Sequence, residues 1–263
     1  MDTALIIIDP QNDFCSPNGS LYVPGGEEDC RRLAAFVDKW KEKIDSVYVT
    51  LDTHPYYHIA HPGFWLDTEN NHPDVYTIIT EEDVRRGIWR PAAPEMSSYV
   101  EEYLLFLESK GRYRLTIWPP HCLIATWGYN VYEPLWEAVH KWEMLVLGRN
   151  IDYIMKASNP RTEHYSAIHA EVPDPADPVT RTNFSFIDKL KQYDRLIFAG
   201  EALSHCVANS VRDISFYIPA SKMILLTDAC SNVAGFEKLG KNFVADMTGK
   251  GMKTATTKTL ILD

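Results

Sequence analysis

Residues 4–9 read ALIIID, an unbroken apolar run that ends on a carboxylate, Asp9. Five successive apolar residues without polar alternation fit a strand covered on both faces, as in a parallel sheet. The same signature recurs in SVYVTL (46–51), RLTIW (114–118), DYIMK (152–156), RLIFAG (195–200), KMILLTD (222–228) and KTLIL (258–262). Helical patterns fit between several of these runs. The segment 27–43 spaces Leu33, Phe36, Val37 and Trp40 along one face, and 204–218 does the same with Val207, Val211 and Ile214. Strands alternating with such helices argue for a parallel sheet with right-handed crossovers.

Ligands of an open parallel sheet sit beyond the carboxyl ends of its strands, so the residues there carry the functional reading. Asp9 ends the first run, Asp52 and His54 the second, His121 follows the third, Lys156 ends the fourth and Cys206 opens the helix after the fifth. Two imidazoles and a carboxylate (Asp52, His54, His121) suit zinc, iron or manganese with coordination positions left open. His58 and His61 stand nearby, each able to add a ligand or to orient one. Cys206 at a helix start, with a lysine close by, is expected to have a lowered thiol pKa, and Asp9 is the candidate base for its proton. A lysine at the end of an apolar strand snorkels to solvent unless partners hold it, so Lys156 joins this group only if the fold brings the others to it.

Composition bounds the remaining choices. A formal charge of −10 gives no electrostatic basis for binding nucleic acid or an anionic membrane, which leaves small molecules or proteins as partners. Five cysteines at 15, 30, 122, 206 and 230, with no CxxC pair, form neither a disulfide framework nor a thiolate zinc site. No apolar run reaches the roughly 20 residues of a membrane span and the N-terminus does not read as a signal peptide, so a cytoplasmic setting is expected. The length suits a single domain over 1–263, with an insertion at about 62–117. That segment holds Pro62, Pro73, Pro91, Pro94 and a helix predicted from 96 to 110, and serves as a lid or a homo-oligomer contact. Asn12 and Asp13 read as turn formers without a catalytic role, and 235–251 as a surface helix lacking any phosphate-loop spacing.

Five blocks, DPQNDFCSPNGSL (9–21), DTHPYYH (52–58), WPPHC (118–122) with TWG (126–128), MKASNPRTEHYSAI (155–168) and GEALSHCV (200–207), resemble in order the signature blocks of nicotinamidases within the isochorismatase-like cysteine hydrolases. The resemblance implies a doubly wound α/β fold around a six-stranded parallel sheet flanked by helices. It implies hydrolysis of nicotinamide, and of pyrazinamide, through a cysteine thioester. It implies a triad of Asp9, Lys156 and Cys206, and one divalent metal, most often zinc, on Asp52, His54 and His121, with His58 a further candidate. Phe14, Trp118 and Tyr165 match the ring-binding walls. A cis peptide before Ala202 and the amides of Ala202 and Cys206 match the oxyanion site. The family turn usually reads GLATDYCV, so Glu201, Leu203, Ser204 and His205 depart from it, as does Ala157 where a glycine usually follows the lysine. The competing readings are another amide or carbamoyl hydrolase of the superfamily, which would lack the metal, and a non-catalytic scaffold on the same fold.

Overall fold

The computed structural model describes residues 1–263. Six strands form one all-parallel sheet: β1 (Thr3–Ile8), β2 (Ser46–Asp52), β3 (Asp152–Lys156), β4 (Arg195–Gly200), β5 (Met223–Leu226) and β6 (Lys253–Ala255), in the order β6-β5-β4-β1-β2-β3. The chain runs from β1 outward to β3, then returns to the other side of β1, so strand order reverses between β1 and β4. In this class of sheet a crevice opens at that reversal. The central strand earns its place by composition: Ala4 to Ile8 are wholly buried, and Ala4 to Ile7 are paired on both sides.

The principal helices are α1 (Gly26–Trp40), α2 (Ser97–Ser109), α3 (Glu133–Glu143), α4 (Phe184–Lys191), α5 (Ala208–Ser215) and α6 (Glu237–Gly249). In α1, Glu27, Glu28 and Asp29 occupy the first turn and Lys39 the last, which complements the helix dipole, while Leu33, Phe36 and Val37 face the core. No helix is long and apolar enough to cross a membrane.

Two expected strands are not in this sheet. Of 114–118 only Leu115–Thr116 is strand, paired antiparallel with Ile78–Ile79, and Trp118 N–H goes to Ala60 O. The neighbouring edge of β2 is taken by β3 instead. The last strand is Lys253–Ala255 rather than 258–262, where the Thr256–Thr259 turn intervenes. A short apolar run looks the same in a central strand, a small ribbon or a packed tail, because periodicity carries no pairing information. DYIMK is a strand, but at the sheet edge, so Tyr153 and Met155 are exposed rather than covered.

Residues 62–117 fold into short pieces. Trp65–Leu66 pairs with Arg90–Pro91, Glu81–Arg85 forms a short helix capped by Thr80, and α2 buries Val100, Tyr103, Leu104 and Leu107. Through Tyr99, whose hydroxyl donates to Arg161 O, and Tyr103, which accepts Glu163 N–H, α2 is tied to the loop that follows β3.

Candidate active site and metal centre

Register builds the charged half of the site. Asp52 and Lys156 are Cα partners at the ends of β2 and β3, and Asp9 leaves the end of β1 beside them. Asp9 adopts φ 43°, the left-handed region that Asp tolerates better than most residues. Lys156 is buried, with Nζ 2.9 Å from Asp9 Oδ2 and 2.9 Å from Asp52 Oδ1. Its three hydrogens go to Asp52 Oδ1, to His164 O at 3.0 Å and to Cys206 Sγ at 3.6 Å. Asp9 Oδ2 meets the ammonium as a close ion pair and keeps a lone pair free, while Oδ1 accepts the Thr50 hydroxyl at 2.5 Å. Asp9, Lys156 and Cys206, drawn from three strand ends, come together.

Cys206 does not head a regular helix. Leu203–Val207 makes one wide turn closed by Val207 N–H to Ala202 O at 3.2 Å, and α5 begins at Ala208. Turns with this i to i+5 bond are rare and concentrate at functional sites. Burial pushes the Cys206 thiol well up, with Lys156 opposing, so the expected lowering is outweighed and the resting group is a thiol. Burial likewise raises Asp9, against the pull of Lys156, which makes it an able proton acceptor. Lys156 itself is held charged: burial disfavours its charge, but Asp52, Asp9 and Cys206 together raise it well above the ordinary lysine range. Asp52 is buried too, yet the Lys156 ammonium and the hydrogen bond from His121 hold it below the usual carboxylate range.

The second half is a histidine cluster. His54 follows β2, His61 lies on the loop beyond it, and His121 comes from the 118–122 segment. Ligand atoms of these three lie within 4.8 Å of one another. His61 Nδ1 donates to Tyr56 O, which fixes its tautomer and leaves its Nε2 lone pair free, and His121 Nδ1 donates to Pro119 O, which turns its Nε2 toward Asp52. Neither ring nitrogen of His54 has a hydrogen-bond partner, nor does His61 Nε2, although all are buried. Burial holds His54 well below, and His61 at about 3 against, the ordinary imidazole value, so both are neutral ligands in waiting. Asp52 Oδ2 stands 3.4 Å from His121 Nε2 and 3.7 Å from His54 Nδ1. Two neutral imidazoles with orphaned nitrogens, a third whose Nε2 faces Asp52 and is raised by that carboxylate despite burial, and the carboxylate itself make a donor set that fits a divalent cation. His58 is different: Nδ1 accepts Ala60 N–H and Nε2 donates to Thr162 O, both at 3.2 Å, so no lone pair remains to offer.

Between the halves lies a narrow pocket lined by Phe14, Trp118, Tyr165, His121, Ala202 and Cys206, among others. Trp118 Nε1 donates to Tyr165 Oη at 3.0 Å, fixing one aromatic wall, and Phe14 meets His121 edge-on with ring centroids 5.3 Å apart. The Glu201–Ala202 peptide bond is cis, as the resemblance implies. The Ala202 N–H donates to no acceptor within the chain.

No family model matches the chain. A nicotinamidase of Saccharomyces cerevisiae is 27% identical over 208 residues, covering 77% of this chain and 76% of the relative. The crystal structure of the yeast nicotinamidase bound to the inhibitor nicotinaldehyde superposes with a TM-score of 0.67 at 20% identity, covering 97% of this chain and 99% of that one. A pyrazinamidase of Pyrococcus horikoshii in complex with zinc gives 0.58 at 21% identity, with 97% and 99% covered. The fold is that of the isochorismatase-like nicotinamidases.

Within this nicotinamidase-like fold, several contributors escaped the sequence reading. Asp13, read only as a turn former, accepts Cys122 N–H at 2.6 Å and Ser20 N–H at 2.9 Å, and so clamps the residue after His121. Gln11 pairs with the backbone of Asp52 in both directions, at 2.7 and 2.8 Å, as a strand neighbour would. Glu163 and His205 line the pocket, Glu163 with one carboxyl oxygen unpartnered. The sequence leaves His61 between two roles. Its spacing of three from His58 was visible, but which ring kept a free nitrogen depended on loop carbonyls.

Proposed function

We propose that the chain is an amidohydrolase that converts nicotinamide to nicotinate and ammonia, with Cys206 as nucleophile. The observation that carries this reading is the shared ammonium. Lys156 holds a sulfur and two carboxylates at one point, on the floor of an aromatic-walled pocket, in a fold shared with nicotinamidases.

The chemistry follows from the groups present. Asp9, with a free lone pair on Oδ2 and a raised pKa, takes the Cys206 proton as sulfur attacks the carboxamide carbon. The carbonyl oxygen becomes an oxyanion, for which the open Ala202 N–H, with that of Cys206, supplies donors. Asp9 returns the proton to the leaving nitrogen, ammonia departs and a thioester to Cys206 remains. Water adds to the thioester carbon with Asp9 again as base, the sulfur regains its proton and the acid is released. Lys156 keeps its charge throughout and offsets the carboxylate and the developing thiolate. Phe14, Trp118 and Tyr165 hold the ring flat, which restricts the carboxamide to attack distance of the sulfur.

For the metal we assign His54, His61 and His121 with Asp52 as the holding set, and His58 as a buttress for the loop. A divalent ion there, zinc being the first choice, would supply a Lewis acid for the ring nitrogen of the substrate or for water. The test is ammonia release from nicotinamide by metal-replete protein. Turnover that disappears in Cys206→Ala, with an unchanged melting temperature, is the expected result. Absence of turnover in the parent chain, or retained turnover in the variant, overturns the reading.

A further inference from the structure

Glu201 carries a carboxyl into the floor of the fold, next to Ala202, and is wholly buried. Its backbone is already held, Glu201 N–H donating to Ile8 O at 2.7 Å. Its Oε2 accepts Ser231 N–H at 3.1 Å, and Ser231 O in turn accepts Leu203 N–H at 2.7 Å. The other oxygen, Oε1, receives no N–H or O–H from a neutral donor, and neither does Oδ2 of Asp29, on α1. Oε1 faces the first turn of α1, 3.5 Å from where a side chain at Gly26 would begin, and the Glu201 and Asp29 carboxyls lie against each other there. Asp29 Oδ1 accepts from Arg32 Nη2 at 2.5 Å, and Arg32 Nε donates to Asp228 O. Since two buried carboxylates in contact do not both ionise and Arg32 favours the charge on Asp29, the shared hydrogen belongs to Glu201.

We propose that Glu201 is a positioning residue whose carboxyl, donating its hydrogen to Asp29, pins the 200–202 turn to α1 and keeps the Ala202 N–H open at the pocket. This rests on the amidohydrolase reading, in which that N–H stabilises the oxyanion. The turn is otherwise tied to its neighbours in the sheet, to the 229–231 segment and, through Ala202 O, to the 203–207 turn that follows it. Removing the carboxyl leaves the buried Asp29 Oδ2 and the half-buried Ser231 N–H without their partner. The adjustment that re-satisfies them moves the chain one residue from Ala202. Burial, followed by the charge of Asp29 and then Cys30, holds the Glu201 carboxyl well above the ordinary range. Cys15, Cys230 and Tyr22 are the other titratable groups turned toward it, and Arg32 is the nearby cation.

Two variants decide it. Glu201→Gln keeps both contacts, its amide N–H replacing the carboxyl hydrogen and its oxygen accepting Ser231 N–H, while Glu201→Ala keeps neither. The expected result is a kcat for nicotinamide about tenfold to a hundredfold lower in E201A with KM within about twofold, since a displaced oxyanion donor acts on the transition state. E201Q stays within about twofold of the parent chain. Equal kcat in E201A and the parent overturns the proposal. A second readout does not depend on turnover. A carboxyl held protonated by the fold contributes stability that is complete below its unfolded pKa and is lost as pH rises through the folded one. The melting temperature of the parent chain should therefore fall relative to E201Q between about pH 5 and 9, and parallel curves overturn the shared hydrogen. If the parent chain does not turn over nicotinamide, the functional reading fails while these melts still decide Glu201. If E201A does not fold, the E201Q comparison decides it alone.

Discussion

The Lys156 ammonium is answered several times over from within the chain, whereas neither nitrogen of His54 is. Lys156 spends its three hydrogens on Asp52, His164 O and Cys206, and its charge also meets Asp9. His54, equally buried, has two nitrogens without partners, and His61 has one. The two clusters touch through Asp52, which faces Lys156 with one oxygen and His54 and His121 with the other. The difference shows how each was made. Strand register delivers the charged half complete, because Asp52 and Lys156 are neighbours across β2 and β3 and need no outside partner. The imidazole half comes from loops whose carbonyls orient two of its rings and leave ring nitrogens converging on a space that a cation suits.

Replacing Lys156 is the strongest way to break this contrast. Lys156→Met leaves Asp9 and Asp52 buried beside each other without a cation, and removing one partner from such a group costs about 3–5 kcal/mol. The expected loss in melting temperature is roughly 6–20 °C for a chain of this size, with loss of turnover. A melting temperature within about 2 °C of the parent would mean that the two carboxylates are neutralised in another way, and the first half would not be a charge cluster at all.

The second half is sharpened by metal. Zinc added to chelator-treated protein at about a hundred times its dissociation constant should raise stability by about 2.7 kcal/mol, read as a shift in melting temperature. His61→Asn should remove most of that shift. His58→Asn should preserve it while lowering the starting melting temperature, because His58 bonds to Ala60 and Thr162 rather than offering a lone pair. The reverse pattern would exchange the two histidines in the ligand set.

The contrast was only half legible in the sequence. Asp9, Asp52, Lys156 and Cys206 could be read because parallel strands announce themselves by apolar runs, and the residue after such a run stands at the mouth of the sheet. His54 and His121 were readable for the same reason, although the run before His121 turned out to be part of a two-strand ribbon rather than the sheet. What could not be read were relations that depend on a lone pair or a hydrogen. Examples are the free nitrogen of His61, the clamp from Asp13 to Cys122 N–H and the contact between Glu201 and Asp29. Each is set by loop carbonyls and amides whose placement follows from tertiary packing and leaves no periodic trace.

A third uncompensated group lies away from both clusters. Glu171 is buried with Oε1 unpartnered, and burial lifts its carboxyl to about 7 even though Arg112 pulls the other way. Because the folded value is raised, its stabilising contribution is complete below the unfolded carboxyl range and is lost as pH rises through about 7. The parent chain should therefore lose stability relative to Glu171→Gln progressively from about pH 5 to 7, by about 2 kcal/mol, and run parallel to it above about pH 8. Thermal melts across that range would show it. A separation independent of pH would mean that Glu171 is ionised throughout.

The smallest expected effect tests whether the strand end that carries Lys156 is itself under backbone strain. Ala157 is buried at φ 62°, while Ala208, at the start of α5, is equally buried at φ −56°. At Ala208 a glycine loses a buried methyl and loosens the unfolded chain, so Ala208→Gly should cost about 1.5–2 kcal/mol. The same two losses apply at Ala157, but there the left-handed conformation already penalises any side chain by about 1–2 kcal/mol, which glycine relieves. The terms nearly cancel, so Ala157→Gly should lie within about 0.5 kcal/mol of the parent chain. Paired denaturant titrations of the two variants measure the difference. Equal losses would show that the turn after Lys156 holds its alanine without strain, and that Lys156 is positioned by its charge partners alone.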